Sequence, residues 1–148
     1  MYLVDTNVIS AASPLRREDG DVGALRAWLT AASERLFLSA VSVAEIEAGI
    51  ARARRMGAVK KASALAAWLD LTLHLYAGRV LPFDTAVARI AGRLLDQAAG
   101  RGGDPGFEDA AIAATAVHAG FVVLTRNVRH FRLMEVSFID PFSSLPAV

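Results

Sequence analysis

The chain has no cysteine, which excludes disulfides and thiolate metal sites and fits a reducing compartment. Lysine is nearly as scarce, with only Lys60 and Lys61 present. No glycine-rich turn follows the first apolar run, which removes a dinucleotide-binding enzyme from consideration. Neither sign of charge predominates: 16 basic and 15 acidic side chains leave a formal net charge of +1. Any nucleic-acid surface must therefore arise by local clustering. Long hydrophobic runs are missing too. The longest uncharged stretch, residues 110–125, falls short of the roughly 20 residues a spanning helix needs, and it contains His118 and Gly120. The N-terminus lacks the positive region and cleavage pattern of a signal peptide, and Asp5 sits where the apolar core of one would be. A soluble, cytoplasmic protein with no membrane partner is expected.

What is present is apolar and alternating. Hydrophobic residues make up 54% of 148, enough for one ordinary domain spanning residues 1–148. Four short aliphatic and β-branched runs read as buried strands, at residues 2–5, 36–39, 80–83 and 121–125. A fifth run, 136–139, alternates more and reads as an edge strand. Helical spacing fills the intervals at 22–32, 43–55 and 62–76. A further helix runs from an N-cap at Asp84 to about residue 99, and another spans 107–119. The "GRGGDPG" stretch, residues 100–106, is a clear break. Strands alternating with helices imply an α/β fold, a central parallel sheet covered on both faces.

In such a sheet, ligands bind beyond the carboxyl ends of the strands. Asp5 ends the first strand. Glu45 falls in the first turn of the helix after the second, and Asp109 in the first turn of the helix feeding the fourth. Thr125, Arg126 and Asn127 follow the end of the fourth strand. A gathering of carboxylates repels itself unless a cation neutralises it or some members take protons. Oxygen-only ligands suit a hard divalent ion such as Mg²⁺, with Mn²⁺ as an alternative. Such ions polarise phosphoryl oxygens and activate water for phosphodiester hydrolysis. Helix N-termini beneath Glu45 and Asp109 would help keep both ionised. Thr6 and Thr125 are placed to hydrogen-bond ligand oxygens. Other polar residues read as structural: Asp84 as a cap, Asp104 as a turn residue, Glu108 as exposed. His74, His118 and His130 share no metal-ligand spacing and also read as structural, with His130, close after Asn127, the one of the three to watch.

Four segments, "LVDTNVIS" (residues 3–10), "SVAEIEAGI" (42–50), "FEDAAIAATA" (107–116) and "VLTRNVRHF" (123–131), together resemble the PIN-domain ribonucleases. Within them the likeness is to the VapC-type toxins of type II toxin–antitoxin systems. The "VLPFD" segment (80–84) resembles the family's third strand and helix start. The resemblance implies a PIN-like three-layer fold whose parallel sheet has strand order 3-2-1-4-5. It also implies metal-binding, catalytic acids at Asp5, Glu45 and Asp109, supported by Thr6, Thr125 and Asn127. Many family members carry a fourth acid where this chain has Asn127, so a second metal ion is left open. The implied reaction is Mg²⁺- or Mn²⁺-dependent hydrolysis of RNA. Arg126 is the candidate phosphate clamp, with Arg129 and Arg132 nearby and a second basic cluster at Arg52, Arg54, Arg55, Lys60 and Lys61. Implied partners are an RNA substrate, a cognate antitoxin whose tail covers the acidic pocket, and a second copy in a homodimer. The helices between residues 44 and 76 could supply those protein surfaces, with Trp68 and Leu71 as candidate exposed members, packing of these residues into the core being the equal alternative.

Two competing readings differ in class. A phosphorylated signalling receiver needs a lysine after its last strand, which is missing. A PIN-like module that binds RNA or protein with feeble catalysis draws its support from Asn127.

Overall fold

Residues 2–4 form the strand around which the other elements are arranged. The computed structural model describes residues 1–16 and 20–147. In chain order the elements are β1 (Tyr2–Val4), α1 (Thr6–Ala11), α2 (Gly20–Ala31), a 3-10 turn (Ser33–Arg35) and β2 (Leu36–Ser39). These are followed by α3 (Ala40–Arg55), α4 (Val59–Leu75), β3 (Val80–Leu81) and α5 (Thr85–Gly100). The chain closes with α6 (Phe107–Ala119), β4 (Val122–Leu124), α7 (Val128–Leu133) and β5 (Phe138–Ile139). The five strands form one sheet in the order β3-β2-β1-β4-β5, and every pairing is parallel. This is the expected α/β architecture and strand order.

Side-chain alternation along the strands splits the core into two layers, one on each face. Tyr2 and Val4 join Leu36, Leu38 and Leu124 on the face covered by α1 to α4, where Val8, Trp28, Ile50 and Leu69 are buried. Leu3 and Val123 point the other way, against Val87 and Leu94 of α5, Ile112 of α6 and Phe131 of α7. Every residue of α6 from Ala110 to Ala116 is buried. Alanines there let α5 and α6 approach closely without overfilling the layer.

Two short helices depart from the sequence expectation. Neither α1 nor α7 was anticipated, because six residues are too few to establish a helical period. The first strand also stops at Val4, and Asp5 is the extended residue capping α1. Ser39 ends β2 and caps α3 at once, its Oγ accepting from Val41 N at 3.1 Å. The helix thus starts at Ala40, and Glu45 falls in its second turn rather than its first. At the other end of the site Gly106 precedes α6 with φ 80° and ψ 159°, a conformation essentially confined to glycine. Among the described residues no helix is long and apolar enough to cross a membrane.

Asp84 caps α5 as expected, its Oδ1 accepting from Val87 N at 3.0 Å, and it belongs to the outer β3 side of the sheet. Asp84→Ala should lower stability by about 1 kcal/mol with an unchanged far-ultraviolet circular dichroism spectrum. Urea unfolding measures this, and a midpoint equal to that of the parent would show the cap to be idle.

Candidate active site

Parallel register places Val4 opposite both Leu38 and Leu124. The residues next in line, Asp5, Ser39 and Thr125, therefore reach one level at the carboxyl edge. Asp5 N–H continues the ladder by donating to Leu124 O at 2.9 Å. Its side chain is only 2% exposed, and Oδ2 accepts from Thr125 Oγ1 and Asn7 Nδ2, each at 2.7 Å. Asn7 Oδ1 accepts from Arg126 N at 3.1 Å, and Thr125 Oγ1 accepts from Asn127 N at 2.9 Å. The acid at the end of the central strand is thus laced to the segment after β4.

Glu45 is held from α1. Thr6 Oγ1 donates to Glu45 Oε1 at 2.7 Å and lies 2.9 Å from Ser42 Oγ. A hydroxyl has one proton to give, so the buried Ser42 hydroxyl must be the donor to Thr6. Asp109 sits in the first turn of α6. Its Oδ2 accepts from Asn127 Nδ2 and from His130 Nδ1, both at 2.6 Å. A carboxylate oxygen only accepts, so His130 Nδ1 carries a proton. The 2.8 Å between the two nitrogens is then a crowding of donors around Asp109.

The three expected acids influence one another electrostatically. Burial raises the Asp5 pKa from 3.8 to about 6; the Thr125 bond opposes this, while the charges of Asp109 and Glu45 add to it. Glu45 is also raised, first by burial, against the Thr6 hydrogen bond and with repulsion from Asp109 and Glu108. A helix N-terminus does not keep Glu45 ionised as expected, since the second turn lies beyond its reach. Thr6, Thr125 and Asn127 spend their donors on the carboxylates themselves, rather than on a ligand.

Among the described residues, no three of His, Asp and Glu converge closely enough to hold one ion as they stand. By donor chemistry the set nonetheless fits a hard divalent cation: three carboxylates and no sulfur. Each takes its side-chain hydrogen bonds on a single oxygen, Asp5 Oδ2, Glu45 Oε1 and Asp109 Oδ2. A shared cation would relieve both the repulsion and the burial cost.

Arg126 joins the network through its backbone, while its exposed guanidinium lies 4.7 Å over the Phe142 ring. A cavity of about 740 Å³ begins at Thr6 and Glu45 and runs between α1, α3 and α4 to Leu65 and Trp68. Of the three acids only Glu45 lines it. Glu108 is exposed, as expected, and His74 and His118 are exposed too. Asn7 and Ser42 were missed as site residues, and His130, read as structural but marked by its closeness to Asn127, holds Asp109. Its spacing of three from Asn127 would have been informative had α7 been foreseen. Ser42 likewise lies three residues before Glu45.

The raised Asp5 pKa carries a stability consequence of definite sign. Below about 3.8 both folded and unfolded states hold the proton. As pH rises through the interval to about 6 the unfolded state ionises first, so a penalty grows, reaching its full value above 6. At full value it is of order 3 kcal/mol, by about 1.4 kcal/mol per pKa unit. In EDTA, Asp5→Asn should therefore stabilise the protein at pH 7.5, and the advantage should vanish by pH 4. Urea unfolding at the two pH values checks this; a pH-independent difference would contradict it.

Comparison with known proteins places the chain. The PIN domain family model matches residues 2–136. VapC ribonuclease Y4jK of Sinorhizobium fredii is 40% identical over 144 residues, covering 96% of this chain and 98% of the relative. Toxin FitB of Neisseria gonorrhoeae is 37% identical, covering 96% and 99%. The crystal structure of FitAcB from Neisseria gonorrhoeae superposes with a TM-score of 0.79 at 36% identity, covering 96% of this chain and 99% of that one. With its motifs, strand order and acids in these positions, the chain belongs to the PIN domain family and is of the VapC type.

Proposed function

We propose that the chain is a Mg²⁺-dependent endoribonuclease, able to use Mn²⁺, that acts as the toxin of a toxin–antitoxin pair. The observation that carries this reading is the gathering of Asp5, Glu45 and Asp109, from three separate segments, at one edge of the sheet. Burial first, with their mutual repulsion adding to it, raises the Asp5 and Glu45 pKa values. The similarity to a protein named as a ribonuclease and another named as a toxin supports it.

Asp5, Glu45 and Asp109 would hold the ion, which when bound supplies Lewis-acid polarisation of the scissile phosphate and of water. The rest of the task falls to the chain. Thr125 and Asn7 fix the Asp5 carboxylate, Thr6 fixes Glu45, and Asn127 with His130 fixes Asp109. Arg126, propped on Phe142, offers a guanidinium to a phosphate oxygen. Asn127 adds an amide where a carboxylate would add charge, which favours one ion over two.

The cavity along α3 and α4 suits the tail of an antitoxin, with an apolar wall at Leu65 and the half-buried Trp68 and with Glu45 in its lining. An arginine from that tail would be attracted to Glu45. Leu71 and Leu75, one turn apart and 57% and 60% exposed, are assigned to contact with a second copy in a homodimer.

A second reading, a PIN-like module with feeble catalysis that binds RNA or protein, is favoured by the neutral Asn127 and by the capture of Asp109 by His130. Turnover of RNA separates the two. The parent should cleave RNA with Mg²⁺ or Mn²⁺ and lose this in EDTA, and Asp5→Ala should reduce cleavage at least a hundredfold while remaining folded. Equal activity in parent and variant would remove the mechanism, and no cleavage by either would favour the binding module.

A further inference from the structure

Arg129 and Arg132 group with Arg126 in sequence, but the structure separates them. Arg126 rests on Phe142, whereas Arg129 and Arg132 share a face of α7, three residues apart. Both are exposed, and among the described residues neither has an acidic partner. Across from them stands Arg101, which follows the last residue of α5 and is ion-paired with Glu135. The three arginines rim a cavity of about 470 Å³ whose floor is Val128 and Leu133.

A close approach holds the walls of this cavity together. Gly103, in the loop between α5 and α6, packs against Leu133 so tightly that a Cβ there would collide with Leu133 Cδ1. The missing side chain lets the loop close on α7 and brings Arg101 toward Arg129 and Arg132. Three guanidinium groups around one cavity repel each other, and Glu135 offsets only one, so the site favours an anion. Guanidinium forks match phosphate oxygens bidentately.

Its place relative to the acids narrows the choice of anion. The same helix that carries Arg129 and Arg132 carries His130, whose ring touches Asp109. With six residues α7 is only about 9 Å long, so the cavity is rigidly tied to the acidic cleft and close beside it. We propose that it is a phosphate-binding subsite that grips the backbone of single-stranded RNA next to the cleft. The choice of RNA as the polyanion rests on the ribonuclease reading; the anion site itself does not.

Binding is measured without cleavage, by fluorescence anisotropy of a labelled single-stranded RNA oligomer in EDTA, across 50–200 mM KCl. The variants are Arg129→Ala/Arg132→Ala and its charge-keeping counterpart Arg129→Lys/Arg132→Lys. The alanine pair should bind RNA at least tenfold more weakly. Its slope of log Kd against log [KCl] should fall by about 1.4, at roughly 0.7 for each phosphate of a single strand that the protein no longer neutralises. The lysine pair should recover most of the slope. Unchanged RNA affinity and slope in a folded alanine pair would overturn the proposal. So would loss of binding to a poly-glutamate peptide while RNA binding stays intact, which would assign the cavity to an acidic protein. RNA binding that depends on these arginines in a protein without metal-dependent turnover would retain the subsite and remove the nuclease reading. The reverse pattern would do the opposite.

Discussion

A carboxyl group kept almost wholly out of water at the end of the central strand is the constraint on which this molecule turns. Asp5 is 2% exposed, and burial is the largest influence on its carboxyl, raising its pKa against the hydrogen bonds that favour its charge. Such a group is costly unless a partner takes up its charge. The fold keeps it by closing a network over it: Thr125 and Asn7 bond the carboxylate, and the backbone amides of Arg126 and Asn127 bond Asn7 and Thr125 in turn. The end of β1 and the segment after β4 are therefore a single unit.

The other two acids are managed on the same plan with different materials. Glu45 is braced by a hydroxyl pair spanning α1 and α3, and Asp109 by an amide and an imidazole beside α7. In each case one oxygen is tied down by neighbours from another segment. The protein thereby stores three carboxylates at one edge, with their repulsion moderated by hydrogen bonds.

The sheet and its acidic edge were legible in the sequence because strongly apolar strands end abruptly in polar residues, and Asp5 is the clearest case. Strand order came from family resemblance, since periodicity cannot rank neighbours in a parallel sheet. The roles of Asn7 and His130 were not legible. Both reside on six-residue helices, and their partners lie far away in sequence or across a helix whose existence had not been inferred. Glu45 was correctly placed on the edge but in the wrong turn, because Ser39 lets strand pass directly into helix with no loop between. The basic cluster after β4 read as one patch. Only the tertiary position of Arg101 and the Gly103–Leu133 contact divide it into two.

The central position of β1 has a consequence for how the acidic edge assembles. The hydroxyl that secures Asp5 lies 120 positions away in the chain, and the flanking strand β4 spans residues 122–124. Until that distant segment docks, the central strand lacks one flank and Asp5 lacks its bond to Thr125. Order at this edge is therefore a late product of long-range sheet closure, since contacts between residues so far apart must first overcome the entropy of closing a long loop.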